Sequence, residues 1–162
     1  MLNASTVRIM TYNVLNYQDE NEREDDYALI IDFVEPDMII AQEIVGQTGY
    51  TKFRSDVLDV IDPDHWSGAP FTNQSAQQDI ALFYKHDVFS FVSTSVVYSA
   101  QSSGTRDVME WVMTHDASGL EFNVYGVHLK ASSGTSNANE RLQDCVFISS
   151  VLIRRVRVPS FS

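Results

Sequence analysis

The chain has 162 residues, of which 44% are hydrophobic and 11% aromatic, enough for one sizeable core and too few for two comfortable domains. Acidic residues number 22 against 11 basic ones, a formal net charge of -11. Much of that acidity reads as a solvated, self-repelling surface, and it opposes long-range attraction to a polyanion. The single cysteine, Cys145, excludes an intrachain disulfide. No apolar run reaches membrane-spanning length, and Met1-Leu2-Asn3 opens with neither a basic region nor an apolar signal core. A signal for export of the parent protein would therefore lie elsewhere, and the sequence assigns no compartment.

In chain order, Val7 to Tyr12 is strand-like and runs into Asn13. An acidic helix start (Glu22, Glu24, Asp25, Asp26) follows, then Tyr27, Ile30, Ile31 and Val34 at the spacing of one apolar helix face. Pro36 marks where this helix has already stopped. Asp37 to Ala41 is a second strand, running into Gln42-Glu43. Strand, helix, strand at this length predicts a right-handed crossover between parallel strands. Both strands then end on one sheet edge, which places Asn13 beside Glu43. An amide and a carboxylate at the C-terminal edge of a sheet are the materials from which open α/β folds build ligand and metal sites.

Tyr50 to Ile61 has helical spacing through Phe53, Val57, Leu58 and Ile61 and closes at Asp62-Pro63. Ile80 to Lys85 and Val88 to Tyr98 are strands with a turn at 85–87. Val108 to Thr114 alternates, placing Met109, Trp111 and Met113 on one face. Asp116-Ala117-Ser118-Gly119 has turn chemistry and predicts a hairpin to a strand from Leu120 to His128. Ser132 to Asn139 reads as a polar loop. A helix from Asn139 carries Leu142, Cys145, Val146 and Ser149 along one side. Residues 1–145 form one body, and 146–162 shift to a basic composition in which Arg154, Arg155 and Arg157 precede Val158-Pro159-Ser160-Phe161-Ser162. That shift reads as a truncated or frame-shifted end, with a genuine basic tail for an acidic partner as the alternative.

Thr11-Tyr12-Asn13 with its Leu-Asn-Tyr sequel, Pro36-Asp37 through Gln42-Glu43, Asp79 to Lys85, and Val127-His128-Leu129-Lys130 with Arg141 downstream occur in the order found in the endonuclease/exonuclease/phosphatase superfamily. The chain resembles these metal-dependent phosphodiesterases, which include deoxyribonuclease I, over roughly residues 6 to 145. The resemblance implies an α/β (α+β) fold, a two-layer β-sandwich flanked by helices, here confined to its first half. The family's later Gly-Asp-x-Asn and Ser-Asp-His motifs have no counterpart in order. No Gly-Asp pair occurs, Asp64-His65 comes too early, and Thr114-His115-Asp116 reverses the pair.

Hydrolysis of a phosphodiester needs neutralisation of developing charge, a water nucleophile and a proton for the leaving oxygen. The resemblance implies Mg²⁺ as neutraliser, with Mn²⁺ or Ca²⁺ as alternatives. Glu43 is the expected carboxylate ligand, the alternative being an ordinary strand-end ion pair. Asn13 is expected at the metal or orienting a phosphate oxygen, or else as a turn residue. His128 is expected beside the scissile phosphate, although a lone His at a strand end is commonly structural. Arg106, Lys130 and Arg141 are the candidate substrate cations. Against these roles stand an ion pair of Arg106 with Asp107, a solvated Lys130, and an Arg141 that braces the site or pairs with Glu140 or Asp144. Asp79 reads as structural. The expected activity of the parent is Mg²⁺-dependent phosphodiester hydrolysis, foremost of DNA or RNA, with this chain alone weakly active or inert. A phosphatase or lipid phosphodiesterase of the same superfamily and a non-catalytic binding module are the alternatives. The sequence leaves oligomeric state and substrate open.

Overall fold

The computed structural model describes residues 6–18, 22–74, 78–99 and 106–155, with side chains through Val151. Two sheets stack face to face. The first has strands β1 (Ile9–Tyr17), β2 (Met38–Ile44), β3 (Trp66–Gly68) and β4 (Asp79–Lys85) in the order β1-β2-β4-β3. The second has β5 (Phe89–Tyr98), β6 (Val108–His115) and β7 (Leu120–Gly126) in sequence order. Helices α1 (Glu24–Val34), α2 (Gly46–Lys52) and α3 (Asp59–Ile61) lie on the first sheet, and α4 (Thr135–Arg155) lies against the second.

The parallel pairing is as the spacing dictates. β1 and β2 run parallel, with Ile9 opposite Met38 and Asn13 opposite Gln42. Between them α1 buries Tyr27 and Ile31, while Ile30 points outward. A period of 3.6 residues cannot keep both Ile30 and Ile31 at the centre of a narrow buried stripe. Glu35 closes the helix in a left-handed conformation, φ 50°, with its N–H on the Ile31 carbonyl, and Pro36 follows.

β2 and β4 are buried on both faces, which explains why Met38-Ile39-Ile40-Ala41 is a continuous apolar run rather than an alternating one. One face, with Ile39, Ala41, Ala81 and Phe83, meets Tyr27, Ile31, Phe53, Val57 and Leu58 of the helical layer. Tyr17, Tyr27, Phe53 and Phe83 pack there with ring centroids 5.4–5.8 Å apart, the spacing at which edge-on aromatic contacts are favourable. The other face, with Met38, Ile40, Ile80 and Leu82, meets Phe89, Met109, Trp111 and Met113 of the second sheet. The predicted single-face placement of Met109, Trp111 and Met113 is what builds this interface. β6 and β7 form the predicted hairpin, with His115 opposite Leu120.

Several boundaries differ from the sequence reading. The helical run expected from Tyr50 starts at Gly46 and passes through a π-helical stretch, Phe53–Leu58, before α3. Trp66–Gly68 adds a short strand, too brief for any period to register. β7 ends at Gly126, so His128 sits in the following segment rather than in the strand. The helix expected from Asn139 begins at Thr135. Its inward side carries Arg141, Asp144, Ile148 and Val151, and the stripe of Leu142, Cys145 and Val146 faces outward. A Tyr98–Phe147 ring contact at 4.2 Å and a Tyr98–Asp144 hydrogen bond decide that rotation. Of the atypical stretch, α4 extends to Arg155, and residues 156–162 lie outside the described residues. No helix among the described residues is long and apolar enough to cross a membrane.

Candidate active site

The C-terminal ends of β1 and β2 form an irregular edge. Pairing slips between Asn13 and Tyr17 on β1 and between Gln42 and Ile44 on β2, and Glu43 falls in the slip. Leu15, Asn16 and Glu43 take left-handed backbone conformations, with φ of 49°, 57° and 66°. Asn tolerates that region; for Leu and Glu each such residue costs on the order of 1–2 kcal/mol. Bulges re-aim side chains at the rims of sheets, and this one turns Asn13 and Glu43 toward one another.

Asn13 Nδ2 donates to Glu43 Oε1 at 3.0 Å, and Asn13 Oδ1 accepts the Leu15 N–H at 2.8 Å. His128 Nε2 lies 3.5 Å from the same Glu43 oxygen, with both side chains largely withdrawn from solvent. His128 Nδ1 is buried with no partner among the described residues. Burial holds the His128 imidazole below its ordinary range, the Arg106 charge adds to that, and Glu43 opposes it. A neutral ring with its Nε2–H toward Glu43 leaves Nδ1 as the acceptor. Asn13, Glu43 and His128, from elements far apart in the chain, thus share one carboxylate oxygen.

A second chain of contacts borders this trio. The Arg106 guanidinium donates to Gln78 Oε1, and Gln78 Nε2 donates to Asn16 Oδ1. Gln78 had no sequence signal beyond immediately preceding the β4 motif, and Asn16 entered only as the Asn of the Leu-Asn-Tyr sequel to Asn13, with no role assigned. Asp79, the next residue, is buried and accepts the backbone N–H groups of Gly46 and Gln74 at 3.0 and 2.8 Å. It ties the start of α2 to the loop that delivers Gln78. Gln42 donates to Thr11 Oγ1 at 2.9 Å and staples β1 to β2 just below the bulge.

Lys130 and Arg141 occupy the adjoining loop and helix. Arg141 Nη1 donates to the carbonyls of Lys130 and Ser132 at 3.0 and 2.9 Å, fastening the segment that carries His128 to α4. Gly126 shapes the start of that segment. A Cβ there would lie 2.6 Å from the Trp111 ring and 2.9 Å from Ile80 Cγ2. Only glycine lets the chain leave β7 this close to the sandwich core.

Three solved structures share this arrangement of elements. The human Nocturnin catalytic domain with bound sulfate aligns at TM-score 0.63 and 17% identity, over 94% of this chain and 61% of its own. D. rerio TDP2 complexed with single-strand DNA product aligns at 0.64 and 15%, over 94% and 56%. An endonuclease/exonuclease/phosphatase from Bacteroides vulgatus aligns at 0.63 and 17%, over 91% and 62%. This is the endonuclease/exonuclease/phosphatase fold. No family model and no curated protein matches the sequence. The chain spans between 56% and 62% of the length of those three structures. Within that fold, Asn13, Glu43 and His128 occupy the sheet edge at which β1 and β2 end.

Proposed function

We propose that this chain supplies the Glu43–Asn13–His128 part of a Mg²⁺-dependent phosphodiester hydrolase centre whose substrate is a nucleic acid. The observation that carries this reading is the convergence of the Asn13 amide and the His128 imidazole on Glu43 Oε1.

The donor set fits Mg²⁺ better than a transition metal. Among the described residues no group of three or more His, Cys, Asp or Glu is arranged to hold a metal, as a zinc site would need. Mg²⁺ instead keeps several waters and takes one or two carboxylates. Glu43 would hold the ion, and Asn13 would fix the carboxylate and offer its amide oxygen to the ion's hydration shell. When bound, the ion would neutralise charge on the phosphate. Burial and Arg106 lower the His128 pKa, and its Nε2–H, released from Glu43 when that carboxylate holds the ion, would donate to a phosphate oxygen. Arg106, aimed by Gln78, would bind a phosphate of the substrate, and Lys130, on the segment that carries His128, is the second candidate cation. On a chain of net charge -11 these local cations carry the attraction that the whole molecule lacks. D. rerio TDP2, crystallised with a single-strand DNA product, makes single-stranded DNA the first substrate to try.

The test separates metal binding from turnover. Mn²⁺ titrated into labelled protein should broaden the NMR signals of Asn13 and His128, and Glu43→Gln should remove that broadening while the fold is kept. Hydrolysis of single-stranded or plasmid DNA by the 162-residue chain should be negligible, because the motifs that would activate water are not in it. Broadening that survives Glu43→Gln, or strong turnover independent of Glu43, would overturn the assignment.

A further inference from the structure

The outer face of α1 presents apolar side chains that the core does not use. Leu29 and Phe33, one turn apart, are 70% and 87% exposed, and Val60 of α3 is 66% exposed. Scattered single apolar residues on a surface are ordinary, but a contiguous set is a mark of an interaction surface.

Leu29 and Val60 line a trough made of three adjoining hollows, and Phe33 stands outside it, one turn along α1 from Leu29. The first, 240 Å³, is lined by Glu22, Glu24, Asp25 and Asp56. The second, 400 Å³, is lined by Asp25, Ala28, Leu29, Asp32, Val60 and Ile61. The third, 490 Å³, includes Asp32, Glu35, Ile61 and Asp62, with Arg8 and Lys85 as its cations. Asp25 is common to the first two, and Asp32 and Ile61 to the last two, so the hollows follow one another along α1. Its centre is apolar and its rim acidic.

The cations near the rim are already engaged. Lys85 pairs with Asp62 at 2.9 Å, Arg8 with Glu35 at 3.2 Å and Lys52 with Asp56 at 3.2 Å. Asp25 and Asp32 flank the apolar centre and have no ion-pair partner among the described residues. They stand two helical turns apart, about 10 Å along α1. A second copy of this chain, at net charge -11, would on balance meet repulsion at the trough in spite of its basic end, and so would the phosphates of a nucleic acid. A free polycation would satisfy the rim and leave Leu29, Phe33 and Val60 in water.

We propose that the trough along α1 is a docking site for a basic amphipathic helix of a partner protein. Its apolar stripe would cover Leu29, Phe33 and Val60, and its flanking Lys or Arg side chains would fall on Asp25 and Asp32. This is helix-in-groove recognition in which burial supplies affinity and the acidic rim supplies partner selection. The surface belongs to the helical layer, is separate from the Glu43 edge, and stands whatever chemistry that edge performs.

The experiment uses fluorescence anisotropy with three labelled synthetic peptides at near-physiological salt. One places Leu and Lys in amphipathic helical order, one scrambles the same residues, and one is Lys alone. The amphipathic peptide should bind saturably, and the other two about tenfold or more weaker. Asp25→Lys with Asp32→Lys, and separately Leu29→Ser with Phe33→Ser, should each weaken binding about tenfold or more. Asp116→Lys with Glu121→Lys changes net charge equally on the second sheet and should leave affinity unaltered. All substituted positions are exposed, and far-UV circular dichroism checks the fold. Equal binding of the scrambled or Lys-only peptide would overturn the proposal. So would equal weakening by the control pair, failure of the amphipathic peptide to saturate, or a concentration-dependent dimer abolished by the trough variants.

Discussion

Asp79 and Gly126 support the candidate site without belonging to it, and each gives a residue-scale test. Asp79 Oδ1 and Oδ2 are the acceptors for the Gln74 and Gly46 N–H groups. Asp79→Ala would leave those donors unpaired in a largely buried place, at a cost of about 2 kcal/mol, measurable by urea unfolding. Burial raises the Asp79 carboxyl above its ordinary value, the two backbone hydrogen bonds oppose that, and Asp107 adds to it. The folded state therefore holds this proton more tightly than the unfolded chain does, so stability falls as pH rises through the raised value. Wild-type melting temperature should gain on that of Asp79→Asn as pH is lowered through the raised folded-state value, and level off below the ordinary carboxylate range. A difference that is flat with pH, or opposite in sign, would remove Asp79 as the titrating group. At Gly126 the added methyl of Ala must displace Trp111 or Ile80. Overpacking of this kind costs about 1–3 kcal/mol, and Trp111 fluorescence should shift with it.

At the scale of elements, α1 separates core from surface within three residues. Ile31 is 1% exposed, whereas Phe33 is 87% exposed. Ile31→Ala should cost about 2–4 kcal/mol through lost burial and a residual cavity. Phe33→Ala should stay within about 0.5 kcal/mol, even though it removes the larger side chain. Comparable losses for the two, read from chemical unfolding midpoints at equal m-value, would mean that α1 is rotated from the described position. The α1 rotation matters doubly, because it also sets which residues line the trough.

For the whole molecule, the sandwich is open at its sides. β1 pairs only with β2, and β7 only with β6, among the described residues. On β1, Ile9 shares a face with buried Met38 and Ile40 yet is 51% exposed, so the second sheet stops short of the first sheet's edge. Long unpaired edges are templates for pairing with other chains. The isolated chain should therefore self-associate with rising concentration in light scattering and bind a hydrophobic dye, and Ile9→Lys should reduce both. A sharply melting monomer that ignores the dye would show that the edge is covered.

Much of this was legible in the sequence because its signals are local. Alternation placed Met109, Trp111 and Met113 on one face, and strand–helix–strand spacing implied the parallel pairing that sets Asn13 next to Glu43. What the sequence did not reveal depends on residues that meet only in three dimensions. Arg106 finds Gln78 across 28 positions, and Gln78 finds Asn16 across 62. The left-handed turn at Glu43 comes from a bulge that two neighbouring strands impose together. The outward turn of Leu142 and Val146 follows from Tyr98, which no period within α4 can report. Period and turn chemistry encode which elements form and which faces are apolar. Which apolar face is covered, and which polar side chains converge, is decided by packing between elements, where contact energies outweigh local preference.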